Sequence, residues 1–380
     1  MPLETQVSEL AVSPSKGLDI QRIEKQLTSM WSEAGTAESS HSGVTRACTL
    51  NLIVYTTPED DASELDELLN RVNEQHPGRT LILIVDRDAK EAKLDGYVST
   101  RCRLLGGTGK QICGEQVTIE ASGPTVETVA SAVTPLLVPD VPVYLWWKDI
   151  PHYQDKLFDR LADTADRIVI DSSAFDHPHE DLRRLAKMIE DPHRELSVSD
   201  LNWGRLTSWR TLLASFWDVP DYRPLLDSID TVEIEYVPPQ SALGEIAPKA
   251  LLLAGWLSSR LNWVVVDKRA SKNERSAEFN LKCGESSVLL AFRRGQTANT
   301  GMLSSVRLST KYGAASFYVG LHSGGTKLQT EAKLGAEHLV GRLLTYERRS
   351  EADRLSRELA FPGRDLVYEE ALARGAQLIL

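Results

Sequence analysis

Apolar positions along this chain alternate between a helical step and a strand step. Ile20, Ile23, Leu27 and Trp31 recur every three or four residues, which predicts an amphipathic helix over 18–31. Val44 to Tyr55 reads as a strand that ends in the apolar run Leu52-Ile53-Val54-Tyr55. A helix is expected next, with Thr57 as N-cap, Pro58 at the first helical position and Asp60 in the first turn. Its buried stripe is Leu65, Leu68, Leu69 and Val72. Thr80 to Val85 is an unbroken apolar strand, the pattern of a sheet covered on both faces. A hairpin follows, Tyr97–Leu105 and Gln111–Glu120, turning at Gly106-Gly107-Thr108-Gly109. Beyond it the pattern gives a helix from Pro124 to Thr134 and a strand from Val141 to Trp146. A helix over Tyr153–Leu161, a strand over Arg167–Asp171 and a helix over Pro178–Ile189 complete the run. Together these predict one α/β domain with a mixed sheet over 18–200, preceded by a polar, turn-rich tail at 1–17.

The second half has a different rhythm. Residues 201–225 form a helical bridge, in which Leu206, Trp209, Leu213, Phe216 and Trp217 share one face. A strand over Thr231–Val237 and an apolar helix over Ala247–Trp263 come next. Short strands follow at 276–283, 287–292, 304–310, 314–321 and 327–334, linked by tight turns, and two helices close the chain at 351–360 and 364–378. Short strands joined by turns indicate an antiparallel sheet. The expected fold class is therefore α/β with α+β character: two mixed-sheet domains packed with helices, the second, at 226–380, largely antiparallel.

Composition narrows the function. Acidic residues outnumber basic ones, 54 to 43, for a net charge of −11, so nucleic acid would need a local basic stripe. Neither Lys268-Arg269 with Lys272 and Arg275 nor Arg348-Arg349 provides one, because acidic residues interrupt or flank both and no aromatics interleave. No apolar stretch approaches the ~18 residues of a membrane span and no basic leader opens the chain, so a cytoplasmic protein is expected. The four cysteines, Cys48, Cys102, Cys113 and Cys283, form no Cys-x-x-Cys pair, and free buried thiols are the plain expectation.

The motifs that invite a catalytic reading fail on their chemistry. With Gly109-Lys110 as anchor, a phosphate loop would need glycine where Leu104 stands and a hydroxyl where Gln111 stands. A dinucleotide loop would need a third glycine at Ile112. His177, His179 and His193 lie near Asp171, Asp176 and Glu180, but they flank a helix start marked by Pro178 and nothing else fixes a metal geometry. Glu233 and Glu235 share one side of a strand, without further signs of a glycosidase pair. No catalytic, cofactor-binding or metal-binding residue is therefore assigned, and no cofactor is expected. What remains is aromatic: eight tryptophans, with Trp146-Trp147 adjacent on a strand and followed at once by Lys148-Asp149. Trp146, Trp147, Lys148, Asp149, Trp203, Trp209 and Trp217 are the interface candidates, with core packing as the competing role for the indoles.

Four stretches carry a resemblance that runs essentially end to end: RACTLNLIVY at 46–55, PLLVPDVPVYLWWKD at 135–149, LNWGRLTSWR at 201–210 and GRDLVYEEAL at 363–372. In this order they are similar to the glucose-6-phosphate dehydrogenase assembly protein OpcA family, of the cyanobacterial type. The resemblance implies a subunit without its own catalytic site. Such a subunit binds oligomeric glucose-6-phosphate dehydrogenase, raises its activity and feeds the oxidative pentose phosphate pathway and NADPH production. It also implies a link to thioredoxin-dependent redox control, for which Cys48, Cys102, Cys113 and Cys283 are the candidates. The alternatives are a passive scaffold for that enzyme and an enzyme acting on a sugar phosphate at an unrecognised site.

Overall fold

The computed structural model describes residues 7–8, 18–36, 44–104, 111–151, 155–270, 276–295, 301–322, 325–339, 341–346, 349–361 and 363–380. The expected glycine turn at 106–109 and all of the 1–17 tail but 7–8 lie outside them. The chain is a mixed α/β protein with two nine-stranded sheets and divides into two compact, interleaved units. The first comprises 1–170, 195–199 and 350–364, and the second 171–194, 200–349 and 365–380.

In the first unit the elements are β1 (Val7–Ser8), α1 (Ile20–Thr36), β2 (Val44–Arg46), β3 (Asn51–Thr56), α2 (Ala62–Gln75), β4 (Arg79–Asp86), β5 (Lys93–Leu104) and β6 (Gln111–Ser122). Then come α3 (Val129–Val133), β7 (Val143–Trp147), α4 (Lys156–Ala162) and β8 (Arg167–Ile170). After α5 (Pro178–Glu190), which belongs to the second unit, β9 (Val198–Asp200) completes the sheet. The order is β1-β5-β6-β4-β3-β7-β8-β9, with β2 beside β6. The run β6-β4-β3-β7-β8 is parallel throughout. Numbered by their own appearance from β3 and leaving out the hairpin partner β5, the strands β6-β4-β3-β7-β8-β9 read 3-2-1-4-5-6. That is the doubly wound order, and it reverses between β3 and β7.

A buried ion pair ties the opposite end of this sheet together. Arg79, at the start of β4, donates to Glu115 on β6 at 2.7 Å, and both side chains are almost wholly buried. Arg79 also reaches Glu24 on α1 at 2.7 Å and the Leu136 carbonyl at 2.6 Å. Glu115 accepts in addition from Arg46 at 2.8 Å and from the Trp31 indole at 2.6 Å. Five segments distant in sequence thus share one charge network.

Local chemistry moves several expected boundaries. The helix expected from Thr57 begins at Ala62, because Asp60 closes a turn by accepting from the Thr56 hydroxyl and the Thr57 N–H, and Asp61 caps the helix through Ser63 and Glu64. The strand expected over 44–55 is two strands, β2 and β3, which pair with different neighbours. Residues 123–136 form 3-10 turns around the short α3 rather than one helix. The helix expected over 153–161 starts at Lys156, capped by Asp155, and 152–154 lie outside the described residues.

The second unit continues with α6 (Leu201–Gly204), α7 (Thr207–Ser215), β10 (Ile229–Tyr236), α8 (Pro248–Arg260), β11 (Val264–Ala270), β12 (Ser276–Cys283), β13 (Ser286–Arg294), β14 (Leu303–Thr310), β15 (Ala315–Leu321), β16 (Lys327–Leu334), β17 (Glu337–Leu339) and β18 (Leu343–Thr345). The chain closes with α9 (Glu351–Leu359), which belongs to the first unit, and α10 (Leu366–Gln377). The second sheet runs β11-β12-β13-β10-β14-β15-β16-β17 with β18 beside β16, and only β10–β13 pairs parallel. The helix expected to reach Trp263 stops at Arg260, because Asn262 turns the chain at φ 54°, and β11 follows where no strand was expected. The central helix α8 is apolar on nearly every side and packs on α10 backbone to backbone. A Cβ on Gly255 would fall 1.9 Å from the Ala371 carbonyl oxygen, so only glycine permits that approach.

Arg79→Ala leaves the buried Glu115 with only the exposed Arg46 and the Trp31 indole as partners, and it is expected to cost about 3 kcal/mol of unfolding free energy, the low end for breaking a buried pair. Denaturant unfolding checks this. A change within error of zero would show that the network contributes nothing.

Candidate functional site

In doubly wound sheets the binding crevice lies where the strand order reverses, outside the carboxyl ends of the strands. Here that place is the end of β3 and β7. The backbone after β3 is Thr56-Thr57-Pro58-Glu59-Asp60, with none of the glycines that let a pyrophosphate approach a helix N-terminus. Side chains fill the space instead. Tyr55 stacks on Trp147 with ring centroids 3.7 Å apart, and Phe158 meets Trp147 edge-on at 5.0 Å. Arg87 donates to the Tyr55 hydroxyl at 2.9 Å and to Asp155 at 2.7 Å. Lys148 binds Asp60 at 2.7 Å and lies 5.6 Å above the Trp146 ring. The Lys148 partnership outweighs burial and holds the Asp60 carboxyl below its ordinary range, while burial pushes the Tyr55 phenol up. Arg87, Asp155, Lys148 and Asp60 each have a protein partner, and the aromatic rings occupy the floor.

The tryptophan candidates separate by exposure. Trp146, Trp147, Trp203 and Trp209 are buried, and Trp217 is half-buried against Phe317. Lys148 and Asp149 remain half-exposed at the rim of the switch point. Trp203 donates to Asp365 at 2.9 Å and carries the Arg210 guanidinium 3.5 Å above its ring, so the aromatic residues near 201–217 lock α6 and α7 onto the start of α10.

A second polar cluster lies in the second unit. Asp171 takes a two-pronged hydrogen bond from Arg205 at 2.6 and 2.7 Å. Burial raises the Asp171 carboxyl, but Arg205 outweighs it and holds the group below its usual range. Asp200 is wholly buried and accepts from the Ser172 and Asn202 N–H groups. Burial, reinforced by the Asp171 charge, pushes Asp200 up to about 7. The arrangement braces two helix starts.

The histidines do not converge. His177 and His193 are exposed, and His179 accepts the Ile246 N–H at 2.8 Å while burial lowers its basicity. Among the described residues no three of His, Cys, Asp and Glu come together as a metal shell, and no helix is long and apolar enough to cross a membrane. Cys102 and Cys113 stand directly opposite each other on β5 and β6 and form a disulfide. Cys48 is a half-buried thiol whose pKa burial raises, and Cys283 is an exposed thiol.

Comparison with known proteins decides the family. Residues 69–187 match the glucose-6-phosphate dehydrogenase subunit N-terminal domain and residues 196–372 the corresponding C-terminal domain. The chain belongs to the OpcA family. It is 31% identical over 277 residues to an OxPP cycle protein OpcA of Synechocystis sp., which is 69% of this chain and 55% of that protein. A second such protein, from Synechococcus elongatus, is 32% identical over 56% of this chain and 46% of its own length. The chain thus spans about half the length of the curated relatives it matches. Among solved structures, myo-inositol dehydrogenase from Lactobacillus casei matches at 10% identity and TM-score 0.44, covering 87% of this chain and 93% of that one. An oxidoreductase from Parabacteroides merdae matches at 7% identity and TM-score 0.47, covering 87% and 97%. Likeness at this level bears on neither ligand nor chemistry. For this OpcA-family chain, sequence reasoning singled out the tryptophans but missed Tyr55, Arg87 and Asp155 as their partners. The only available signal was that Tyr55 ends an apolar strand.

Two measurements probe these environments. Thiol titration of the unreduced, unfolded chain is expected to count two thiols and, after reduction, four, with exposed Cys283 reacting before Cys48 in the native state. Four thiols without reduction would contradict the bridge. Asp200 binds a proton in the folded chain between its ordinary value of 3.8 and about 7. Its contribution is therefore full below about 4 and is lost as pH rises through about 7. Melting temperature against pH should fall across that window in the native chain and stay flatter in Asp200→Asn; parallel profiles would refute the assignment.

Proposed function

We propose that this chain is a non-catalytic subunit that binds oligomeric glucose-6-phosphate dehydrogenase in the cytoplasm and raises its activity, supporting the oxidative pentose phosphate pathway. The observation that carries this reading is the family match across both halves of the chain, whose models are described as domains of a glucose-6-phosphate dehydrogenase subunit. The switch point supports it physically. The switch point carries the Tyr55–Trp147 stack and the Lys148–Asp60 pair and has no glycine-rich loop after β3. Activation of this kind requires the chain to bind the active state of the enzyme better than the inactive one. The half-exposed Lys148–Asp149 rim, rigid because Trp146 and Trp147 anchor it, is the contact we assign to the first unit. The Cys102–Cys113 bridge is the point at which a thiol reductant such as thioredoxin would act.

Titration of purified dehydrogenase with this chain, following substrate saturation and complex mass, tests the reading. The expected result is a heavier complex and a higher rate at low substrate. No complex, or a complex with an unchanged saturation curve, would overturn activation, and turnover by this chain alone would overturn the non-catalytic assignment.

A further inference from the structure

The second sheet has one covered face and one open face. Along β10, Val232, Ile234 and Tyr236 are buried on the covered side, while Thr231, Glu233 and Glu235 alternate with them and stay half-exposed. The same alternation runs through β14, β15 and β16. On the open side the Glu233 and Arg293 side chains are 44% and 42% exposed, so among the described residues no element covers the middle of the face.

That face is flat and built from paired opposites. Cross-strand register sets Ala291 beside Glu233, Glu233 beside Arg307 and Arg307 beside Tyr318, in one row across β13, β10, β14 and β15. The Tyr318 ring lies down along the sheet: a Cβ on Gly320 would sit 2.1 Å from its hydroxyl oxygen. Arg307 lies over that ring at 4.8 Å. The chain carries −11 overall, which makes two copies repel, yet around this row the charges are mixed: Glu233, Glu235, Glu278 and Glu331 stand among Arg293, Arg307, Lys327 and Lys333.

We propose that this open face is a self-association surface whose occupant is the same face of a second copy of this chain. A two-fold axis parallel to the strands, between β10 and β14, lays β10 of each copy over β14 of the other. Glu233 then faces Arg307 twice, reciprocally, as an isologous interface requires. The same operation sets β13 over β15 and β12 over β16, where Glu278 meets Glu331 as the one like-charged pair of the row, offset by Arg293 at 3.0 Å from Glu278. The six strands from β12 to β16 present about 30 Å by about 25 Å and the four central ones about 20 Å by about 25 Å, on the order of 500 Å² per partner, which for both partners together reaches the ~1,000 Å² that a specific interface needs. Twist separates the outer strands of facing sheets, so the contact concentrates on the four central ones. The inference does not depend on the dehydrogenase reading.

Sedimentation velocity of the full chain at micromolar concentration tests it. The native chain is expected to sediment as a dimer. Glu233→Arg and Arg307→Glu should each raise the dimer dissociation constant at least tenfold, with unchanged far-UV dichroism. The double variant should restore the dimer, because both reciprocal pairs are then reversed. A monomeric native chain overturns the proposal, as does a dimer that Glu233→Arg leaves intact or one that the double variant fails to rescue. A monomer whose Glu233→Arg variant loses dehydrogenase binding instead would assign the face to that enzyme and equally overturn it.

Discussion

Two aromatic rings meet face to face at the point where the first sheet reverses its winding. Tyr55 and Trp147 end adjacent parallel strands, and their stack occupies the floor of the crevice that doubly wound sheets leave open for a ligand. The surrounding pairs follow from that packing. With the floor filled, Arg87 turns to the Tyr55 hydroxyl and Asp155, and Lys148 to Asp60. A fold is not a function, and here the doubly wound order carries no glycine-rich loop after β3.

The two ends of this sheet are therefore stabilised by different physics. At one end, packed rings and short polar pairs close the switch point. At the other, the Arg79–Glu115 pair gathers α1, β2, β4 and β6 around buried charge. Burying charge is costly unless every donor and acceptor is satisfied, and the network meets that condition with the Trp31 indole and the Leu136 carbonyl. The second unit relies instead on backbone contact, with α8 seated on α10 through Gly255.

Much of the fold was legible because its signals are local. The apolar strands β3, β4 and β7, the amphipathic helices and, in the second half, β10 and β12 to β16 follow from spacing, whereas β11, β17 and β18 do not, and the mixed α/β class with a mostly antiparallel second sheet stands. The doubly wound order was not legible, because pairing β4 with β6 and β3 with β7 is decided by tertiary packing. Local chemistry hid other features. Asp60 reads as a first-turn helix residue but closes a turn, and Asn262 and Trp263 read as the end of a helix although Asn262 turns the chain out of it. At the site, the sequence identified Trp146 and Trp147 without telling which neighbours would enclose them. Their burial follows from the strands on either side and from Phe158 on α4.

Activation through differential binding has a strict consequence: coupling between two ligands is reciprocal. If this chain favours the active state of the dehydrogenase, substrate that favours the same state must tighten the chain's own binding by the same factor. The most direct measurement is the affinity of this chain for the dehydrogenase with and without saturating glucose 6-phosphate. The account predicts tighter binding in its presence, by the factor by which the chain lowers the enzyme's substrate dissociation constant. Equal affinities in the two conditions would contradict it.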